Sequence, residues 1–137
     1  MILRTIELPI ELTNNNAGRT QHFGRSASQR KKYERIIRAK FGQQVPFTSK
    51  VDVVVQRVLA ARQRLWDSSS VLRGNWKEIE DALVACGFLS DDGPDYVGLC
   101  IGAQDAETRL TFHNAFMEPF IRVYFLDCGT LNVGSVI

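Results

Sequence analysis

The run from Val51 to Leu59, VDVVVQRVL, constrains the fold more than any other stretch, because β-branched valines fill five of its nine positions. A segment so continuously apolar reads as a strand, and as a central one, since a strand with a wet face alternates more strictly. A central strand needs partners, and the chain offers three further candidates. Ile2 to Ile10 alternates apolar and polar positions before the polar cluster TNNNAG at 13–18. Tyr96 to Ala103 and Pro119 to Leu126 also read as strands, the latter placing Ile121, Val123 and Phe125 against Arg122 and Tyr124.

Two helical stripes separate these strands. Tyr33, Ile36, Ile37 and Phe41 form the first, opened by a capping-box pattern at Ser26 and Gln29 and stopped by Gly42. Trp76, Ile79, Leu83 and Cys86 form the second, opened by Asn75 with Glu78 three residues on and stopped by Gly87. The expected fold is α/β in the broad sense (α+β). It is one small domain over residues 1–137, with a mixed sheet, two main helices and the order β-α-β-α-β-β.

Net charge is only +2, yet its distribution is lopsided. Residues 1–77 hold fifteen Lys/Arg against five Asp/Glu, and residues 78–137 hold two against ten. A basic segment favours polyanions, whereas clustered carboxylates repel phosphate unless a cation sits among them. That pattern suits a metal-dependent nucleic-acid enzyme, and equally two surfaces attracting each other across an interface. No apolar run is long enough for a membrane span, and the first residues reach charge too soon for a signal peptide, so a cytoplasmic protein is expected. Cys86, Cys100 and Cys128 lack close spacing and are expected as free, mostly buried thiols.

The familiar catalytic spacings are missing: there is no phosphate loop, no G-x-S-x-G elbow and no H-E-x-x-H helix. His22 and His113 are the only histidines, so neither a Cys/His nucleophile nor a zinc site is supported. Oxygen ligands remain, at Asp67 and at the Asp91-Asp92 turn. Two or three carboxylates can hold Mg²⁺ beside a phosphodiester, with Lys77 stabilising the developing charge. Lys77 and Asp81 also stand at i, i+4 and can simply pair. Trp66, Trp76, Phe23 and Phe47 are expected to pack in the core rather than wedge into DNA.

The segment GNWKEIEDALVACGFLSDDGP at 74–94, the basic first helix, and VDVVVQRVL leading through Arg62 and Arg64 to Asp67 together resemble the RusA-type Holliday junction resolvases. The resemblance implies a homodimeric bacterial or phage endonuclease. Such an enzyme binds four-way DNA junctions and nicks opposing strands with Mg²⁺, Mn²⁺ being an alternative, and uses no small-molecule cofactor. It implies Lys77, Asp67 and Asp92 as catalytic residues, with Asp67, Asp92 and Asp91 serving the metal. Arg19, His22, Arg25, Arg30, Lys31, Arg57 and Arg64 are then the expected DNA contacts. The chain departs from the family at one signature. Where D-x-D-N-L is typical it reads Asp67-Ser68-Ser69-Ser70-Val71, and a serine is a much poorer magnesium ligand than a carboxylate. Either Asp91 or Asp95 compensates, or catalysis is reduced or lost. Three functions stay open: a structure-selective nuclease, a junction-binding protein without cleavage, and a protein-interacting subunit.

Overall fold

The computed structural model describes residues 1–14, 23–60, 63–106 and 118–129. The elements are β1 (Ile2–Leu8), α1 (Phe23–Phe41), β2 (Val51–Val58), a 3₁₀ turn (Ser68–Ser70), α2 (Trp76–Ala85), β3 (Val97–Asp105) and β4 (Phe120–Asp127). The order is the one expected, and the sheet is mixed, running β1-β4-β2-β3. β2 is interior, parallel to β3 and antiparallel to β4, while β4 also pairs antiparallel with β1.

Strand parity sorts side chains between two faces. Ile6 and Leu8, Val53 and Val55, and Ile121, Val123 and Phe125 line the inner face, where Tyr33 and Ile37 of α1 and Ile79, Ala82 and Leu83 of α2 pack on them. Aromatic rings extend this core at one end. Phe88 stacks on Phe125 at 6.0 Å, Phe41 meets Phe88 edge-on, and the Arg4 guanidinium lies 4.8 Å over the Phe88 ring. Phe47, Trp66 and Trp76 also join the core, as expected, whereas the side chain of Phe23 lies outside the described residues. On the outer face, Arg122 bonds Glu7 of β1 at 2.9 Å and Gln56 of β2 at 2.8 Å and approaches Asp105 of β3 at 3.6 Å. One side chain of β4 thereby ties all three other strands together.

Both helices stop at their expected glycines, but neither expected cap forms. α1 begins before Ser26, whose hydroxyl reaches across to the Glu78 carboxylate at 2.6 Å. Asn75 makes no capping bond to α2. It is buried, accepts from the Thr13 amide at 2.8 Å, and donates to the Glu11 carbonyl and the Tyr33 hydroxyl, both at 2.9 Å. Each polar side chain satisfies a distant buried partner instead of the nearest helix amide, a preference that local sequence spacing does not reveal.

Asp52 is the buried acid of β2. Between Val51–Val97 and Val53–Cys100 the register slips, so that Gly98 and Leu99 face Asp52 alone. The carboxylate fills this bulge, accepting from the Leu99 amide at 2.8 Å and, with its other oxygen, from the Gly129 amide at 2.9 Å. Removing it strands two amides, so Asp52→Ala should cost about 3 kcal/mol in urea unfolding. Asp52→Asn keeps one acceptor and should lose roughly half as much. Equal stability of both variants and wild type would show that the bulge holds without the carboxylate.

Candidate active site

The site is assembled by the way α2 ends. Gly87 takes φ +89°, its amide bonds Val84 O at 3.0 Å, and the Phe88 amide bonds Leu83 O at 2.9 Å, a Schellman stop. The chain turns there, buries Phe88 and Leu89, and returns along α2, bringing the Asp91-Asp92 turn beside the helix's first residues. Lys77, exposed on the first turn, meets Asp92 Oδ2 in an ion pair. Asp81 Oδ1 lies 3.3 Å and Glu80 Oε1 3.9 Å from the same ammonium, since positions three and four residues on share its helix face. The turn is stiffened by the Asp92 amide bonding Asp91 Oδ1 at 2.8 Å, and by the Gly93 carbonyl accepting from both Tyr96 and Val97.

Negative charge exceeds positive here, and the ionisation follows. The hydrogen bond with Asp92 holds the Lys77 ammonium protonated well beyond its ordinary range, and the same bond holds the Asp92 carboxyl below its own. Glu80 is the most enclosed of the acids, and burial raises its pKa, with Asp92 and Asp81 adding to the rise and Lys77 opposing it. On the inner side of β3, burial pushes the Cys100 thiol up to about 12, aided by the neighbouring Glu80 charge. Cys100 is therefore a neutral packing group at the base of the cluster rather than a nucleophile.

Beside this cluster an open concavity of about 320 Å³ is lined by Asp81, Asp91 and Asp92 on one side and by Arg30 and Glu34 of α1 on the other. Lys77, Asp91 and Asp92 thus come together as expected. Asp67 is not among the residues that line the hollow. Its carbonyl accepts from the Ser70 amide, its exposed carboxylate caps nothing, and the turn it precedes is pinned to β3 by Val71, which sits over Gly102 where a Cβ would stand. Among the described residues no three acids, histidines or cysteines converge closely enough to cage a metal ion. What remains is a set of hard oxygens facing an open hollow. That set suits Mg²⁺, which keeps most of its waters and takes one or two carboxylates together with substrate phosphate.

The expected DNA contacts divide. Arg30 and Lys31 are exposed on α1, and Arg64 is exposed in the loop after β2. Arg57 must be withdrawn from the set. It is 3% exposed, stacks 3.6 Å from the Trp66 ring centre, and donates to Arg64 O and Gln104 Oε1, both at 2.9 Å. Gln104 in turn brackets Trp66 through its amide and carbonyl, so Arg57 fastens the loop after β2 to β3. Arg19 and His22 lie outside the described residues, as does the side chain of Arg25. Sequence reasoning passed over Glu80, although KEIED places it three residues after Lys77 on the same face. No family model matches the chain, and no curated protein matches it.

Proposed function

We propose that the protein is a metal-dependent, structure-selective DNA endonuclease acting on four-way junctions as a homodimer. One observation carries the reading: Lys77 and Asp92, fifteen residues apart, are joined at the rim of an acid-lined hollow whose opposite wall is a basic helix. These are two of the three residues for which the resemblance implies catalysis, Asp67 being the third. Asp92, with Asp91 as a second carboxylate, would hold the cation, which when bound supplies charge neutralisation and Lewis-acid polarisation at a phosphodiester. Arg30 faces the same hollow and would take a phosphate oxygen. Lys77 acts as a fixed positive charge for the developing oxyanion and not as a proton donor, because its carboxylate partners hold its proton too tightly for transfer near neutrality. A twofold dimer would set two such sites against opposing strands.

A second reading, junction binding without cleavage, draws on Ser69 and on a hollow whose lining does not include Asp67. The deciding experiment compares a labelled four-way junction with a linear duplex of matched sequence in Mg²⁺, Mn²⁺ and EDTA. Paired nicks in the junction alone, abolished by EDTA, are the expected result. Tight junction binding with no nicks in either metal would establish the second reading.

A further inference from the structure

α1 carries its charge in an arrangement that works against the isolated protein. Lys31, Lys32 and Arg35 are exposed, with Lys31 and Arg35 at i, i+4 and Lys32 and Arg35 at i, i+3. At these spacings like charges are neighbours and repel. The helix's one acid, Glu34, is turned towards the acid-lined hollow, and among the described residues no ion pair relieves the three cations. Beside them lies a second, shallow hollow of about 330 Å³, lined by Ser28, Gln29, Lys32 and Arg35. A hydroxyl, an amide, an ammonium and a guanidinium form a donor-rich wall with no carboxylate in it.

We infer that this face of α1 seats the phosphate backbone of duplex DNA, with one phosphate in the Ser28–Gln29–Lys32–Arg35 hollow and Lys31 reaching a neighbouring one. The inference deepens the nuclease reading by naming the surface that holds a duplex arm. The chemistry of the face selects this occupant. Among the described side chains, none of the large exposed apolar residues lies on α1, and its apolar stripe, Tyr33 and Ile37, is spent on the core. A lipid surface or a protein partner would want an apolar anchor among the charges, and the described side chains of this face offer none. Phosphodiesters need no such anchor, and charge neutralisation alone holds them. Four residues of helix advance about 6 Å, within reach of consecutive phosphates that rise ~3.4 Å along each strand. Arg30, a residue before this ridge, faces the Asp81–Asp91–Asp92 hollow, so the track leads towards the proposed site.

The test is binding of a labelled linear duplex in EDTA, followed by anisotropy between about 50 and 200 mM salt. The triple variant Lys31→Ala, Lys32→Ala, Arg35→Ala should flatten the log–log salt slope by about 2.7, so that over this range wild type loses ~40-fold more affinity than the variant does. Lys50→Ala, removing an exposed cation outside the helix, should leave the slope within about one unit of wild type. The triple variant should melt no lower than wild type, because alanine favours helix and the repulsion is gone. A wild-type salt slope in the triple variant would overturn the assignment, and so would tighter wild-type binding to anionic vesicles than to duplex. A flattened slope in a protein that never nicks would keep this surface and sink the nuclease reading. Nicking with an unchanged slope would do the reverse.

Discussion

Asp92→Asn should lower metal-dependent nicking by at least ~10²-fold while junction binding in EDTA stays within a few-fold of wild type. The variant keeps the shape of the turn but removes the charge that both holds Lys77 and would serve the cation. Lys77→Met should lower nicking by a similar ~10²- to 10³-fold, for a different reason: the oxyanion loses its fixed positive partner. Loss of activity in Asp92→Asn together with full activity in Lys77→Met would remove the lysine from the mechanism.

The same pair has a defined pH signature. Asp92 has its folded pKa lowered, so its contribution to stability is present above the ordinary aspartate value of about 3.9 and is lost as pH falls through the lower folded value. Lys77 has its folded pKa raised, so its contribution is present below about 10.4 and is lost only as pH rises through the higher folded value. Both groups are ionised between about pH 5 and 9, and nicking should show no bell-shaped optimum from this pair there. The pair is largely solvated, and its share of stability should not exceed ~1 kcal/mol. Urea midpoints measured against pH should therefore separate wild type from Lys77→Met slightly, and the activity assay should separate them greatly.

Gly87→Ala should be strongly damaging, because strain and collision act together at this position. At φ +89° an alanine is strained, and its Cβ would run into the Gln44 carbonyl, which belongs to a loop held to this helix end by the Gln44 amide bonding Cys86 O at 2.8 Å. Strain and collision together should cost about 3–4 kcal/mol, enough to unfold a protein of ordinary stability in mild denaturant. Gly42→Ala is the control. It has φ +73° but open space around it, so only the conformational penalty of about 1–2 kcal/mol applies. Urea unfolding of the two variants should therefore differ by ~2 kcal/mol, and equal losses would mean that the Gln44 loop yields freely.

The elements, their order and both helix stops were legible in the sequence because periodicity and glycine chemistry act locally. Strand pairing was not, since nothing within Phe120–Asp127 announces that it lies between β1 and β2. Arg57 shows a signal present but overlooked. It shares the parity of Val53 and Val55, so a strand that turns those valines inward turns the arginine inward too, towards Trp66 and Gln104. Ser26 and Asn75 sit where helix caps belong, yet the bonds they make span 52 and 62 residues, which spacing rules do not reach. Of the candidate site, Lys77, Asp92 and the Lys77–Asp81 pairing could be read from the chain. That Asp67 stays out of the hollow's lining could not, because the turn after it settles where Gly102 admits Val71.

The place of β4 bears on how the molecule comes into being. β1 and β2 do not touch each other in the sheet, because each is zipped to the strand between them, and that strand is synthesised more than sixty residues after β2 begins. A ribosome-bound chain that has emerged only through β3 can close the parallel β2–β3 unit around α2, but β1 has no neighbour to pair with. Sheet completion therefore waits on the latest strand and on contacts distant in sequence, the condition under which folding is slow and nascent edges are exposed to other chains. The turn that carries Asp92 lies within the early unit, so this half of the acid-lined hollow can form before the sheet beneath α1 is finished.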